Sequence, residues 1–295
     1  MSAAAPEAAG QRPTYVGIGA QKCASTWLHE ILASHPQVGV PEVKEVDFFS
    51  YRFDHGYQWY ERHFSATASA LARGEISPSY FCEPAVPERL ARYLPEARIL
   101  LSLRDPVERA LSNHRHEVRV GHLGGEDLSF ETGLRNNPMY VEQGRYATHL
   151  RNWLRHLPRE RILIVLMEDV QGDPQRVARE VFSFLGVDET YVPAGLDNRY
   201  NRSFVTRSSV LTGAKDAVYR ATRLPGLRWT WGLASQAGLK SMYRGVNIVP
   251  SSAVIPRPQA QTLQALRQQF EPEIRELETL IDRSLSAWLH PPASR

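Results

Sequence analysis

Cysteine is nearly absent from this chain, with Cys23 and Cys82 the only two in 295 residues. Two cysteines without metal-ligand spacing build neither a disulfide framework nor a zinc site, and such sparing use suits a reducing cytoplasm. No run of about 18 apolar residues occurs, so the sequence offers no membrane-spanning helix. Net charge is small, +3 at pH 7, too little to argue for nucleic acid as a partner. Residues 1–13 lack the charged start and apolar centre of a signal peptide and are expected to form a disordered leader rich in Ala and Pro. Internal repeats are lacking as well.

What is present is ordinary in bulk and uneven in detail. Hydrophobic residues make up 42% and charged residues 23%, and the length suits one α/β domain or two small ones, a single domain being expected over 14–290. Between Arg207 and Arg244 stand seven Lys/Arg and a single acid, Asp216. This basic, Trp-containing stretch, taken as an insertion over 207–250, has three readings. It is a solvated helical face, a lid on the acceptor side of a site, or a surface that touches anionic lipid.

The most informative stretch is Tyr15-Val-Gly-Ile-Gly-Ala-Gln-Lys-Cys-Ala-Ser-Thr-Trp-Leu28. Thr14 to Ile18 reads as a short apolar strand and Gly19 to Cys23 as a turn. A helix follows from Ser25, with Trp27, Leu28, Ile31 and Leu32 on one face. A strand, a small-residue turn carrying Lys22, and a helix opening on Ser25-Thr26 make an anion cradle. Amide groups, the positive helix end and two hydroxyls converge there.

Further along, Gln37 to Val40 is a short apolar run closed by Pro41, and Glu42-Val-Lys-Glu-Val-Asp-Phe-Phe49 crowds three acids and Lys44 against two aromatic rings. An aromatic helix is expected around Tyr57–Tyr60 and Phe64. Glu75–Phe81 reads as extended because Pro78 disfavours helix before it, and Pro87–Leu94 as a short helix. Arg98–Leu103 is the strongest buried strand, and Asp105 with Pro106 marks a helix start. Gly121–Gly125 reads as a loop, Pro138–His156 as one long helix, Ile162–Met167 as a strand and Pro174–Leu185 as a helix. In the last helix, from Pro258, Pro272 is expected to restart the helix. Alternation of apolar strands with helices predicts an α/β fold, a parallel sheet with helices on both faces. Ligands of such sheets bind beyond the C-terminal strand ends, which puts the Lys22 loop, Glu45, Arg104 and the polar loop at Arg202 on one rim.

A P-loop kinase shares this topology, but its lysine directly precedes the Ser/Thr that reaches magnesium. Here Lys22 comes three residues before Ser25, and the only acids at a strand end in a magnesium-like position are Glu168-Asp169. A nucleotide kinase is therefore the second reading, with a non-catalytic nucleotide-binding protein as the third.

Gln21-Lys-Cys-Ala-Ser-Thr-Trp27 resembles the 5′-phosphosulfate loop of sulfotransferases that use 3′-phosphoadenosine 5′-phosphosulfate (PAPS). Arg104-Asp-Pro-Val-Glu-Arg-Ala-Leu-Ser112 resembles their 3′-phosphate motif. Glu45–Phe49, Glu75–Phe81 and Gly144–Leu154 resemble the glycosaminoglycan (heparan-type) branch, and Leu277–Leu289 the tail of bacterial members. The resemblance implies a P-loop-like three-layer fold with a central parallel sheet flanked by helices. It also implies sulfuryl transfer from PAPS, without metal, to a hydroxyl or amine of a carbohydrate, glycolipid or small-molecule acceptor.

Carried over residue by residue, the resemblance implies that Lys22 contacts the 5′ phosphosulfate and stabilises charge on the bridging oxygen. Cys23, Ala24, Ser25 and Thr26 line the loop that holds the remaining 5′ oxygens. Trp27 matches a tryptophan that stacks on adenine, with a core anchor as its other reading. Arg104 and Ser112 match the clamp on the 3′ phosphate. Arg202, Ser203 and Phe204 loosely match a loop that closes over the cofactor, with Arg207 as rival. Glu45 matches the general base, its other reading being an ion pair with Lys44 or Lys22; Glu42 is its rival. The histidine that the cytosolic branch carries near Glu75–Ser79 has no counterpart here. His149 matches a histidine of N-sulfating members and so joins the catalytic candidates as an assistant, a structural helix-face role being the alternative. Ile76 and Asp47 replace a lysine and a histidine of heparan-sulfating members, which argues against a highly sulfated acceptor. Cys23, where the family has Gly, Ser or Thr, reads as a small-residue substitution or, at a helix start that favours thiolate, as a redox-sensitive group.

Overall fold

The computed structural model of the chain describes residues 12–196, 204–206, 248–250 and 253–290. The chain divides into two compact units. The first comprises Met1–Arg109, Glu142–Tyr200 and Leu266–Arg295, and the second Ala110–Val141 and Asn201–Ala265.

The first unit is built on five strands: β1 (Tyr15–Gly19), β2 (Val38–Gly39), β3 (Ala72–Ile76), β4 (Arg98–Leu103) and β5 (Ile162–Leu166). They pair in the order β2-β3-β1-β4-β5, and every pairing is parallel. β1 is fully buried and β4 nearly so, as apolar runs covered on both faces must be. Among the helices are α1 (Ser25–Ser34), α2 (Phe48–Tyr51), α3 (Tyr57–Arg62), α4 (Val86–Tyr93) and α5 (Pro106–Val120). α1 buries Trp27, Leu28, Ile31 and Leu32, the four positions whose spacing predicts that face. They join Tyr15, Leu100, Val181 and Phe182 in one core, where each fully buried large apolar side chain contributes about 1.5–3 kcal/mol.

Helix starts and stops follow local chemistry where a side chain caps them. Asp105 Oδ1 accepts from Val107 N at 2.8 Å and Glu108 N at 3.1 Å, so α5 begins where Asp-Pro predicts. Glu75–Phe81 is not one extended stretch: β3 starts earlier, at Ala72, and the chain turns after Ile76. Ser77 N still reaches Gly17 O at 2.8 Å, but Pro78 has no amide to extend the ladder. A short helix absent from the sequence reading, α6 (Phe130–Asn136), is capped by Ser129. The long helix expected over Pro138–His156 is two pieces, α7 (Met139–Glu142) and α8 (Tyr146–Leu154). At the break a Cβ on Gly144 would lie 2.6 Å from the Phe270 ring, and the first turn of α8 finds an acceptor elsewhere: Glu273 takes Thr148 N at 3.0 Å and Thr148 Oγ1 at 2.5 Å.

The chain continues through α9 (Met167–Gly172), α10 (Pro174–Leu185), α11 (Ala260–Ile281) and α12 (Ser286–Leu289). Pro272 lies inside α11 and does not restart it; buried Leu266, Phe270, Ile274 and Leu277 hold the helix across the missing hydrogen bond. In the second unit, Val118 and Ile255 share a small apolar cluster, and β6 (Phe204–Thr206) pairs antiparallel with β7 (Ile248–Pro250). No helix among the described residues is long and apolar enough to cross a membrane.

Candidate active site

Since the five strands are parallel, their C-terminal ends share one edge of the sheet. The β1–α1 turn, the segment after β2 that carries Glu45, the end of β3 and Arg104 after β4 all lie along it. Gly19 ends β1 with φ 117°, and a Cβ there would stand 2.7 Å from Pro78 O, so this exit tolerates only glycine. Ala20 N is then fixed to Ser102 O of β4 at 2.7 Å.

The turn itself is an anion cradle by its backbone. Lys22 and Ala24 both adopt the left-handed conformation, φ 67° and 68°, which turns successive amides towards a common centre. Ala24 precedes α1 and no side chain caps the helix. The first helical bond runs from Leu28 N to Ala24 O at 3.0 Å, which leaves the amides of Ser25, Thr26 and Trp27 without helical acceptors. Lys22, Ser25 and Thr26 are partly exposed, whereas Cys23 is buried.

A second cation missing from the sequence-based candidate set completes the mouth of this cradle. Lys44 Nζ donates to Thr26 Oγ1 at 3.0 Å and pairs with Glu45 Oε1 at 3.2 Å. One ammonium thus ties the candidate base to the first turn of α1. The Lys44 and Glu45 side chains are 33% and 44% exposed, open enough to meet a ligand. The signal available in the sequence was adjacency: a lysine directly before the acid on a segment rich in both.

Beneath them lies Glu75, 1% exposed. Burial pushes its carboxyl up to about 7, outweighing the hydrogen bonds from Ser77, Tyr80 and Val46 that favour its ionised form. Asp47 is held by Ser79 Oγ at 2.6 Å, and partial burial raises its carboxyl above the usual range.

Other expected site residues take definite places. Arg104 follows the last residue of β4 and holds Glu108 Oε2 at 3.0 Å. Ser112 lies on α5, within the residues of the second unit, partly buried. Trp27 is 4% exposed in the core and donates to Leu196 O at 3.3 Å. His149 is 8% exposed, with Nε2 against Glu142 O at 2.9 Å and the ring on Phe81. Arg202, Ser203 and Arg207 lie outside the described residues, and Phe204 opens β6. Glu168-Asp169 is occupied: Asp169 pairs with Arg283 and Arg176, and Glu168 accepts from Trp288 Nε1.

The thiolate reading of Cys23 is corrected. Its Sγ is sealed 3.6 Å from Tyr146 Oη, and burial pushes the thiol up to about 11 despite the nearby Arg109 and Arg104 charges. Alkylation by iodoacetamide at pH 8, followed by mass spectrometry, is therefore expected to label Cys23 at least about tenfold more slowly in the folded chain than in urea, because the thiolate is the reactive form. Comparable rates would restore the redox-sensitive reading.

Comparison with known proteins agrees with this geometry. A family model described as "Sulfotransferase domain" matches residues 14–204. Heparan sulfate glucosamine 3-O-sulfotransferase 3A1 of Homo sapiens is 32% identical over 187 residues, 61% of this chain and 46% of that protein. The bifunctional heparan sulfate N-deacetylase/N-sulfotransferase 4 of Mus musculus is 30% identical over 203 residues, 61% of this chain and 23% of that protein. The chain thus spans about half, or less, of the length of these curated relatives. A solved sulfotransferase from Alicyclobacillus acidocaldarius superposes with a TM-score of 0.66 at 25% identity, over 94% of this chain and 98% of that one. With the matched residues covering the cradle, Glu45 and Arg104, the chain belongs to the sulfotransferase family.

Proposed function

We propose that this chain transfers a sulfuryl group from PAPS to a hydroxyl or amine of an acceptor, with Glu45 as general base. The observation that carries the reading is the Thr26–Lys44–Glu45 chain, which sets a carboxylate at the mouth of an anion cradle. The residues present fit the donor: two left-handed residues, three unbonded helix amides and the Thr26 hydroxyl suit a phosphosulfate, and the Arg104 guanidinium suits a phosphate. When bound, the donor supplies an activated S–O bond to a phosphate leaving group. Lys22 stabilises the charge that develops on that phosphate, while the loop amides hold its other oxygens. Glu45 takes the acceptor's proton as its oxygen or nitrogen approaches the sulfur in line. Lys44 orients Glu45 and adds positive charge beside the transferred group.

A carbohydrate acceptor is the class favoured by the heparan sulfate specificity in the relatives' names. The acids Glu45 and Asp47, with Ile76 in place of a lysine, favour one carrying few sulfates. Thermal shift tests the donor. The product 3′-phosphoadenosine 5′-phosphate (PAP), at about a hundred times its dissociation constant, is expected to raise Tm by several degrees. ATP with magnesium is expected to give a smaller shift; the reverse order would favour the kinase reading. Labelled PAPS with a panel of oligosaccharides, glycolipids, alcohols and amines then identifies the acceptor, and no transfer to any of them would favour a non-catalytic binding protein.

A further inference from the structure

The hydrogen bonds of Glu75 converge on the loop that carries Glu45. Glu75 Oε2 accepts directly from Val46 N at 3.4 Å and from Ser77 Oγ at 2.5 Å. Its Oε1 accepts from Tyr80 Oη at 2.6 Å and Tyr60 Oη at 3.4 Å. Two of these hydroxyls reach onward into the same loop: Asp47 N donates to Ser77 Oγ at 2.9 Å, and Phe49 N to Tyr80 Oη at 3.3 Å. One buried carboxyl therefore holds three backbone amides, directly or through a single hydroxyl.

Those amides follow Glu45 in a segment with two unfavourable dihedrals. Glu45 and Asp47 have φ of 61° and 55°, a region that residues with a side chain adopt only when their surroundings over-determine it. The hydrogen-bond hub supplies that constraint. Phe48 and Phe49, buried among Tyr60, Tyr80 and Tyr93, pin the other end of the segment.

We propose that Glu75 is a positioning residue for sulfuryl transfer, fixing the Val46–Phe49 backbone so that the Glu45 carboxylate faces the acceptor. The assignment rests on reading Glu45 as the base. A carboxyl with so many donors fills a site that an amide of the same shape cannot satisfy. In Glu75→Gln either the Val46 amide or the tyrosine hydroxyls face an N–H group instead of an acceptor.

The test is a double-mutant cycle in the full chain, measuring kcat, KM for PAPS and affinity for PAP. Glu75→Gln is expected to lower kcat about tenfold or more with KM for PAPS and PAP affinity within about twofold. In the Glu45→Gln background the same change is expected to cost nothing further in kcat, because it acts through Glu45. Unchanged kcat in folded Glu75→Gln overturns the proposal, as does an equal further loss in the Glu45→Gln background, the mark of a merely structural role. Should Glu75→Gln fail to fold, Tyr80→Phe and Ser77→Ala each remove one bridge and are expected to show the same signature, smaller in size; unchanged kcat in both overturns the proposal. Full turnover in Glu45→Gln alone would instead sink the base assignment, so the two failures are distinct.

Discussion

Glu45→Gln is expected to lower kcat by about 10²- to 10⁴-fold, the usual worth of a general base, while PAP binds as before. The expectation separates sharply from the alternative in which Glu45 only pairs with Lys44. That pair is 3.2 Å long between side chains 33% and 44% exposed, and a solvent-screened ion pair is worth at most about 1 kcal/mol. Its loss alone would change turnover by less than about fivefold. Glutamine keeps the size of the side chain and can still accept a hydrogen bond from Lys44, so any large effect belongs to proton removal. Steady-state kinetics with labelled PAPS, alongside a PAP binding isotherm, decide it: near-normal turnover moves the base to another residue, with Glu42 and Asp47 the first to examine.

Lys22→Met is expected to lower kcat by about 10²- to 10³-fold, the cost of removing one preorganised donor from a site where charge develops. Methionine preserves the unbranched stem, and position 22 keeps its left-handed backbone, so the substitution removes charge with little change of shape. PAP affinity is expected to fall less, by about tenfold, because the loop amides and the Arg104 guanidinium still hold the nucleotide. Lys22→Arg is not expected to rescue turnover, since a planar fork cannot replace a compact point charge. Turnover within about threefold of the parent would place Lys22 outside the reacting centre. A fall in PAP affinity with kcat unchanged would make it a binding group only.

Both predictions concern residues visible in the sequence, and the reason is locality. The cradle was legible because a strand, a small-residue turn and a helix opening on Ser25-Thr26 are set by neighbours along the chain. The same holds for α1, whose four buried positions recur at helical spacing, and for α5, whose start is an Asp side chain reaching its own next amides. Where the expectations needed revision, the deciding partner was remote. The break at Gly144 depends on Phe270 and on Glu273, which caps a helix 125 residues away. The Cys23 thiol is raised by burial beneath remote residues, outweighing both the adjacent helix start and the hydrogen bond of Tyr146, 123 residues on.

Within the site the division is the same. Residue identity and local order set the chemistry on offer: a lysine in a phosphate-sized turn, an arginine after a buried strand, and an acid on a segment rich in charge. Local propensity and capping decide such features within a few residues. How these groups are held depends on long-range contacts made by the fold. Lys44 joins Thr26 to Glu45 across 18 residues, and Glu75 grips Val46 across 29. The fold also buried Trp27 and His149. Hydrogen bonds of this kind form only once the parallel sheet has brought the ends of β1, β2 and β3 to one edge, and no pattern along the chain encodes them separately from the fold.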